Sequence, residues 1–241
     1  MQRLAQEIEA VVFDYGNTLI EFGPRQVETC DRELSAALHD MFGPHDFDQL
    51  TAIQHEERRS PYQGECVEHD LAAITASLVR KLYETDPTED QVAELLEVRF
   101  RAMTGCVRVD PQVHDLLERL RERFQLGLVS NYPCSRSIRH SLAEHGLDQW
   151  FGSIVVSGDV GHVKPHPRLF ECVVSELNVS ADAVLFVGDN WLGDIQGALR
   201  FGMKAAWIQQ YTAYEKFDRE PDHGDAHLEL QHLSELSGLL S

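Results

Sequence analysis

The sequence predicts an α/β protein, a doubly wound parallel sheet with a Rossmann-like core and an all-helical segment inserted after its first strand. Three observations carry this. Short, continuous apolar runs recur along the chain, as strands covered on both faces require, since such strands do not alternate apolar with polar residues. From residue 110 onward these runs alternate with helical patterns over short links, the mark of a parallel sheet with crossover helices. Between the first run and residue 110 only helical patterns occur.

Taken in order, Val11-Val12-Phe13 is the first run and closes on Asp14, with Tyr15-Gly16-Asn17-Thr18 behind it. A carboxylate tolerates that company only at the exposed tip of a strand. Phe22-Gly23-Pro24 breaks the pattern, and helices are expected over residues 25–41, 47–59, 67–83 and 88–104. Gly43-Pro44, Ser60-Pro61-Tyr62-Gln63-Gly64 and Asp86-Pro87 separate them with turn chemistry. In the fourth, Val92, Leu95, Leu96, Val98 and Phe100 give the apolar face and leave Glu94, Glu97, Arg99 and Arg101 for solvent. Asp110-Pro111 opens a helix to about residue 123, and Leu126-Gly127-Leu128-Val129 is a strand ending in Ser130-Asn131. A helix over 135–145, a strand near 154–157 and a helix over 167–177 follow. The strand Val184-Leu185-Phe186-Val187, a helix over 194–201 and a strand over 204–208 complete the core. In the tail, residues 215–225 read as an exposed loop, 227–230 as a short edge strand and 233–240 as a closing helix. The division is a core from residues 1–22 and 106–241, with a helical insertion over 23–105.

Composition restricts the function classes. Acidic residues outnumber basic ones 40 to 21, for a formal charge of -19, which argues against nucleic acid and anionic membranes because phosphate backbones need a basic face. Any phosphorylated substrate must find local positive charge, and Lys164 with a divalent cation would supply it. Cys30, Cys66, Cys106, Cys134 and Cys172 are scattered without close pairing, so they read as small buried hydrophobes rather than zinc ligands or a disulfide framework. No apolar run approaches membrane-spanning length and the first residues lack a signal-like apolar stretch, so a soluble, cytoplasmic protein is expected.

The strand ends carry the chemistry. Val184–Val187 runs into Gly188-Asp189-Asn190-Trp191-Leu192-Gly193-Asp194, and Val155-Val156-Ser157-Gly158 leads to Gly161-His162-Val163-Lys164-Pro165. In open α/β sheets ligands bind beyond the carboxyl ends of strands where the strand order reverses, so the aspartates are expected to meet in one crevice. Three carboxylates gathered there repel each other unless a cation lies among them, and all-oxygen ligation favours a hard ion such as magnesium. In order, Asp14 with Thr18, then Ser130, Lys164-Pro165, and Gly188-Asp189 with Asp194 resemble the four sequence motifs of the haloacid dehalogenase-like superfamily of hydrolases. Residues 23–105 carry no motif.

The resemblance implies a mobile helical cap over the active site, formed by the insertion, and a magnesium-dependent phosphatase of small phosphorylated metabolites. Asp14 would attack phosphorus and form an aspartyl-phosphate, Thr18 and Ser130 would donate hydrogen bonds to phosphoryl oxygens, and Lys164 would neutralise transition-state charge. Asn17 and Asn131 are candidate substrate-binding residues. Magnesium would take Asp14, the main-chain carbonyl of Gly16 and Asp189, with Asp194 binding directly or through water; Asp194 also reads as an N-cap of the helix beginning at Ile195. Asp159 reads as structural. The departure is Gly16, where phosphatases of the superfamily usually place a second aspartate as general acid and base, help worth about 10²–10⁴-fold. Another residue substitutes, the substrate has a good leaving group, or the enzyme is weak. Glu56, Glu57, Glu65, His69 and Asp70 are the cap's acid-base candidates. Two alternatives remain open: a metal-independent 2-haloacid dehalogenase, whose last motif would lack Gly188-Asp189, and a binding protein that keeps the fold.

Overall fold

The computed structural model describes residues 2–211 and 224–240. Six parallel strands form one sheet: β1 (Ala10–Phe13), β2 (Gln125–Ser130), β3 (Ser153–Val156), β4 (Val184–Gly188), β5 (Lys204–Ile208) and β6 (Leu228–Leu230). Their order is β3-β2-β1-β4-β5-β6, so the chain reverses direction across the sheet at β1. Phe13 pairs with Leu128 on one side and Val187 on the other. The next residues out, at the carboxyl edge, are therefore Asp14, the end of β2 and the end of β4.

Successive side chains of a strand point to opposite faces, and each run feeds two apolar layers. Val11, Phe13, Leu126, Leu128, Leu185 and Val187 pack on one side. Helix α1 (Gln2–Glu7), α6 (Pro111–Arg121) and α7 (Ser135–Glu144) cover that layer through residues such as Ala5, Leu117 and Leu142. On the opposite face Ala10, Val12, Val129, Val184 and Phe186 meet α9 (Pro167–Leu177) and α10 (Gly197–Phe201) through Phe170, Val173 and Ala198. The short α8 (Ser157–Val160) follows β3 directly.

The insertion between β1 and β2 is helical: α2 (Pro24–Phe42), α3 (Phe47–Arg59), α4 (Leu71–Tyr83) and α5 (Glu89–Cys106). It has its own small core of Leu34, Leu38, Leu50, Ile53, Leu78, Val79 and Leu95. Asp46, Asp70 and Thr88 cap α3, α4 and α5 by accepting from backbone amides of the first turn.

Four expectations change in detail. Helix α4 begins at Leu71 rather than residue 67, because residues 66–68 instead bond the backbone of the core. Arg99, expected to face solvent, is half-buried and lines a cavity beneath the insertion. All five cysteines are free thiols and half-buried rather than fully buried. The closing helix over Leu233–Leu240 is a 3₁₀ helix, and Leu233, Leu236 and Leu239, three residues apart as that geometry requires, pack on the sheet. Of the polar tail segment, residues 215–223 lie outside the described residues. Among the described residues no helix is long and apolar enough to cross a membrane.

Gly127 in β2 lies close against α9: a Cβ there would lie 2.9 Å from Val173 Cγ2 and 3.2 Å from Val12 Cγ2. Gly127→Ala is expected to overpack this layer and destabilise the protein by about 1–3 kcal/mol. The check is urea denaturation, with a lower midpoint at an unchanged slope.

Candidate active site

The loop after β1 is bent so that Thr18 returns to the strand tip while Asn17 holds the turn. The Asp14 amide donates to Val187 O at 2.9 Å, continuing the sheet by one bond. Asn17 adopts φ +56°, a region that asparagine reaches more readily than most residues. Its Oδ1 accepts from Phe22 N at 3.0 Å, which closes the turn. Thr18, fully buried, thereby donates from Oγ1 to Asp14 Oδ2 at 3.3 Å.

Lys164 is reached from the end of β3. Its backbone is clamped by Asn131 at the end of β2: Lys164 N donates to Asn131 Oδ1 at 2.8 Å, and Asn131 Nδ2 donates to Lys164 O at 3.1 Å. The ammonium is 2% exposed and donates to Asp14 Oδ1 at 2.7 Å and to Val129 O at 2.8 Å. It also lies 2.7 Å from Asp194 Oδ1, off the hydrogen-bonding direction, as a charge contact.

Beyond β4 the chain makes a wide π-helical turn over Trp191–Gln196, a feature frequent at functional sites. Asn190, not Asp194, is the cap: its Oδ1 accepts from Gly193 N at 2.8 Å, while Asp194 Oδ2 accepts from Asn190 N at 3.0 Å. Asp194 folds back under Gly188, where a Cβ would overlap its carboxylate. The N-cap role expected of Asp194 thus passes to the residue four earlier, and the carboxylate turns inward. Trp207 Nε1 donates to the main-chain oxygen of Asp189 at 2.9 Å and fixes that strand end.

Oxygens of Asp14, Asp189 and Asp194 lie within 4.8 Å of one another. Burial works to lower the Lys164 pKa, but the carboxylates of Asp14 and Asp194 overcome it and hold the ammonium charged. Burial, reinforced by the Asp14 carboxylate and only partly offset by Lys164, pushes Asp194 up to about 6. Asp189 is raised well above the usual range by burial and then by its two acidic neighbours. Three carboxylates against one ammonium leave excess negative charge in an all-oxygen donor set. That set fits a hard divalent cation, magnesium among them.

These groups open into a cavity of about 340 Å³ between sheet and insertion, lined by Asp14, Ser130, Lys164 and Asp189 on the core side. The insertion covers it as a cap. Tyr62 Oη accepts from Asn131 Nδ2 at 3.0 Å. Val163 N donates to Cys66 O at 2.8 Å and Glu68 N to Gly161 O at 3.0 Å, so the cap is stitched to the core beside Lys164. Ser157 Oγ adds a hydrogen bond to Glu68.

The structure brings together Asp14, Thr18, Ser130, Lys164, Asp189 and Asp194, all read from the sequence. Asn17 and Asn131 also line the cavity. However, Asn17 Oδ1 is engaged by its own turn, and Asn131 is engaged by Lys164 and Tyr62. Of the cap candidates, Glu57 and His69 line the cavity, while Glu56, Glu65 and Asp70 do not; Asp70 caps α4 and His69 Nε2 meets Ser60 Oγ at 2.6 Å. Asp159 accepts from Ser135 and Arg139, a structural role. Sequence reasoning missed Tyr62, Glu68, Arg99 and Asn190. Only Asn190 carried a local signal, as an asparagine three residues before a glycine at a helix start.

Known proteins resemble this chain in sequence and in fold. The sequence profile described as haloacid dehalogenase-like hydrolase matches residues 8–202. The chain is 27% identical over 153 residues to the 5-amino-6-(5-phospho-D-ribitylamino)uracil phosphatase YigB of Escherichia coli, covering 59% of this chain and 57% of that protein. It is 25% identical over 229 residues to (S)-2-haloacid dehalogenase 2 of a Pseudomonas species, covering 90% of this chain and 91% of that one. The crystal structure of a 2-haloacid dehalogenase from Pseudomonas syringae superposes with a TM-score of 0.73 at 27% identity, over 97% of this chain and 98% of that chain. The chain spans about half the length of several curated phosphatases it matches. With the profile extending from the first strand to beyond the last acidic motif, the chain belongs to the haloacid dehalogenase-like hydrolase family.

Proposed function

We propose that the protein is a magnesium-dependent phosphatase of a small phosphorylated metabolite, acting in the cytoplasm through an aspartyl-phosphate on Asp14. The observation that carries this reading is the trio of carboxylates, Asp14, Asp189 and Asp194, gathered within 4.8 Å beside a buried lysine and opening onto one cavity. Magnesium would be held by Asp14, Asp189 and the Gly16 carbonyl, with Asp194 direct or through water, and would supply charge neutralisation for the transferring phosphoryl group.

Asp14 is held for attack. Lys164 fixes one of its oxygens at 2.7 Å and Thr18 the other at 3.3 Å, so the carboxylate stays oriented. In-line attack by Asp14 on phosphorus breaks the ester bond, and the alcohol or phenol leaves as its oxyanion. Ser130, at the edge of β2, donates to a phosphoryl oxygen, and the Lys164 charge offsets that of the migrating group. Water then cleaves the acyl phosphate, returning the Asp14 carboxylate and inorganic phosphate.

Halide displacement is the second reading, favoured by the likeness to 2-haloacid dehalogenases over nine-tenths of the chain. Against it stands Asp189, an acidic group with no part in metal-free attack on carbon and an electrostatic cost to the site when no cation balances it.

Asp14→Asn and Asp189→Asn are each expected to lower hydrolysis of phosphate monoesters by at least about 10³-fold with the circular dichroism spectrum unchanged. Excess chelator is expected to abolish turnover and added magnesium to restore it. Halide release from a 2-halo acid that persists in chelator and in Asp189→Asn would replace this reading with dehalogenation.

Gly16 removes the usual acid, so aryl and acyl phosphates are expected to turn over faster than alkyl phosphates. A Cβ is accommodated at Gly16, where it meets only Phe22 Cβ, at 3.6 Å. Gly16→Asp is therefore expected to narrow the gap between aryl and alkyl substrates by about tenfold or more. The measurement is the dependence of kcat/KM on leaving-group pKa, which should become shallower in the variant.

A further inference from the structure

A second charged group faces the same cavity from the cap. Arg99 of α5 lines it together with Gln54, Asp31 and Arg58. These four form one chain of contacts: Arg99 Nη1 donates to Gln54 Oε1 at 3.0 Å, Gln54 Nε2 donates to Asp31 Oδ1 at 2.5 Å, and Arg58 Nη2 donates to the same oxygen at 2.7 Å. Asp31 is 3% exposed and its Oδ1 accepts from both neighbours, so it fixes Gln54, and Gln54 fixes the plane of the Arg99 guanidinium.

The charges do not all pair. Arg58 is matched by Asp31, and Glu57 has Lys81 at 3.9 Å. Among the described residues Arg99 has no carboxylate at ion-pairing distance, and its Nε and Nη2 are buried without a hydrogen-bond partner. Burial, partly countered by the nearby Glu57, draws the guanidinium pKa down. Buried donors left unpaired are costly and rare in native proteins. The two unpaired atoms are, moreover, the adjacent pair on one edge of the guanidinium, the edge that grips a planar carboxylate with two parallel hydrogen bonds.

We propose that Arg99 recognises a carboxylate carried by the substrate, so that the enzyme acts on a small phosphate monoester of a hydroxy acid, its phosphate at Asp14 and its carboxylate on the Nε and Nη2 edge of Arg99. The inference rests on the phosphatase reading above. One unmatched positive charge suits a monoanion, whereas a second phosphate would bring more charge up against Asp31 and Glu57. Ile20, Leu34, Ile74 and Met103 also line the cavity and suit the carbon chain joining the two ends. Both nitrogens are covered by neighbouring side chains, so the carboxylate enters as the cap opens and is enclosed when it recloses.

The test is a series of ω-phosphooxy carboxylic acids of two to five carbons, each compared with its neutral primary amide. The native enzyme should prefer one or more acids over the matching amide by about 10–100-fold in kcat/KM, mostly through KM. Arg99→Met should bring that ratio close to one, and Arg99→Lys should recover only part of it, because charge returns without the planar edge. A ratio within one protein is insensitive to the fraction folded. The corresponding phosphonates, titrated calorimetrically, give the same acid-to-amide comparison without turnover, so a failure of the phosphatase reading still leaves the carboxylate question answered. Equal binding of acids and amides at every length, or a preference that survives intact in Arg99→Met, would overturn the assignment and leave Arg99 a structural member of the cap.

Discussion

The ammonium of Lys164 is the interaction on which the site depends. A buried charge is tolerated only when paired and hydrogen-bonded, and this one has Asp14, Asp194 and the Val129 carbonyl around it. Each of those groups comes from a different strand end. The lysine therefore holds β1, β2 and β4 to one another at the edge where the sheet has no more backbone bonds to offer. The relation is reciprocal, since without the ammonium the carboxylates would face each other in a medium that screens them poorly.

Around this centre the supporting contacts are chosen for position rather than chemistry. Asn131 sits next to Ser130, yet its amide is occupied by both backbone ends of Lys164 and by Tyr62 of the cap. Asn190 and Asp194 bond each other's turn, so the acid is aimed by the same loop that ends β4. Cap and core meet where Cys66 and Glu68 bond Val163 and Gly161, a few residues from the lysine.

What the sequence disclosed followed from local rules. Four-residue apolar runs in a chain of alternating helices specify a parallel sheet, and a parallel sheet places Asp14, Ser130 and Asp189 at one edge whatever the details of the loops. Features that depend on long-range partners were not legible. Arg99 reads as a solvent-facing arginine because one helix in isolation shows a single apolar face, while its real neighbour Gln54 is 45 residues away. Helix α4 starts late because residues 66–68 find backbone partners in the core, which no pattern within the segment reveals. Asp194 was legible as an acid but not in its orientation, which is set by Gly188 behind it.

The cap has its own apolar nucleus, sharing no residue with the two layers of the sheet. Its chain departs after the loop that follows β1 and returns before β2, and although Met103 of α5 packs on the sheet's layer, exchanges confined to the cap's own nucleus leave the strand register undisturbed. A substitution on the cap's wall of the cavity therefore need not alter the wall built by the sheet. One cavity thus has two walls that can be altered separately, one fixed by strand register and one by the packing of four helices.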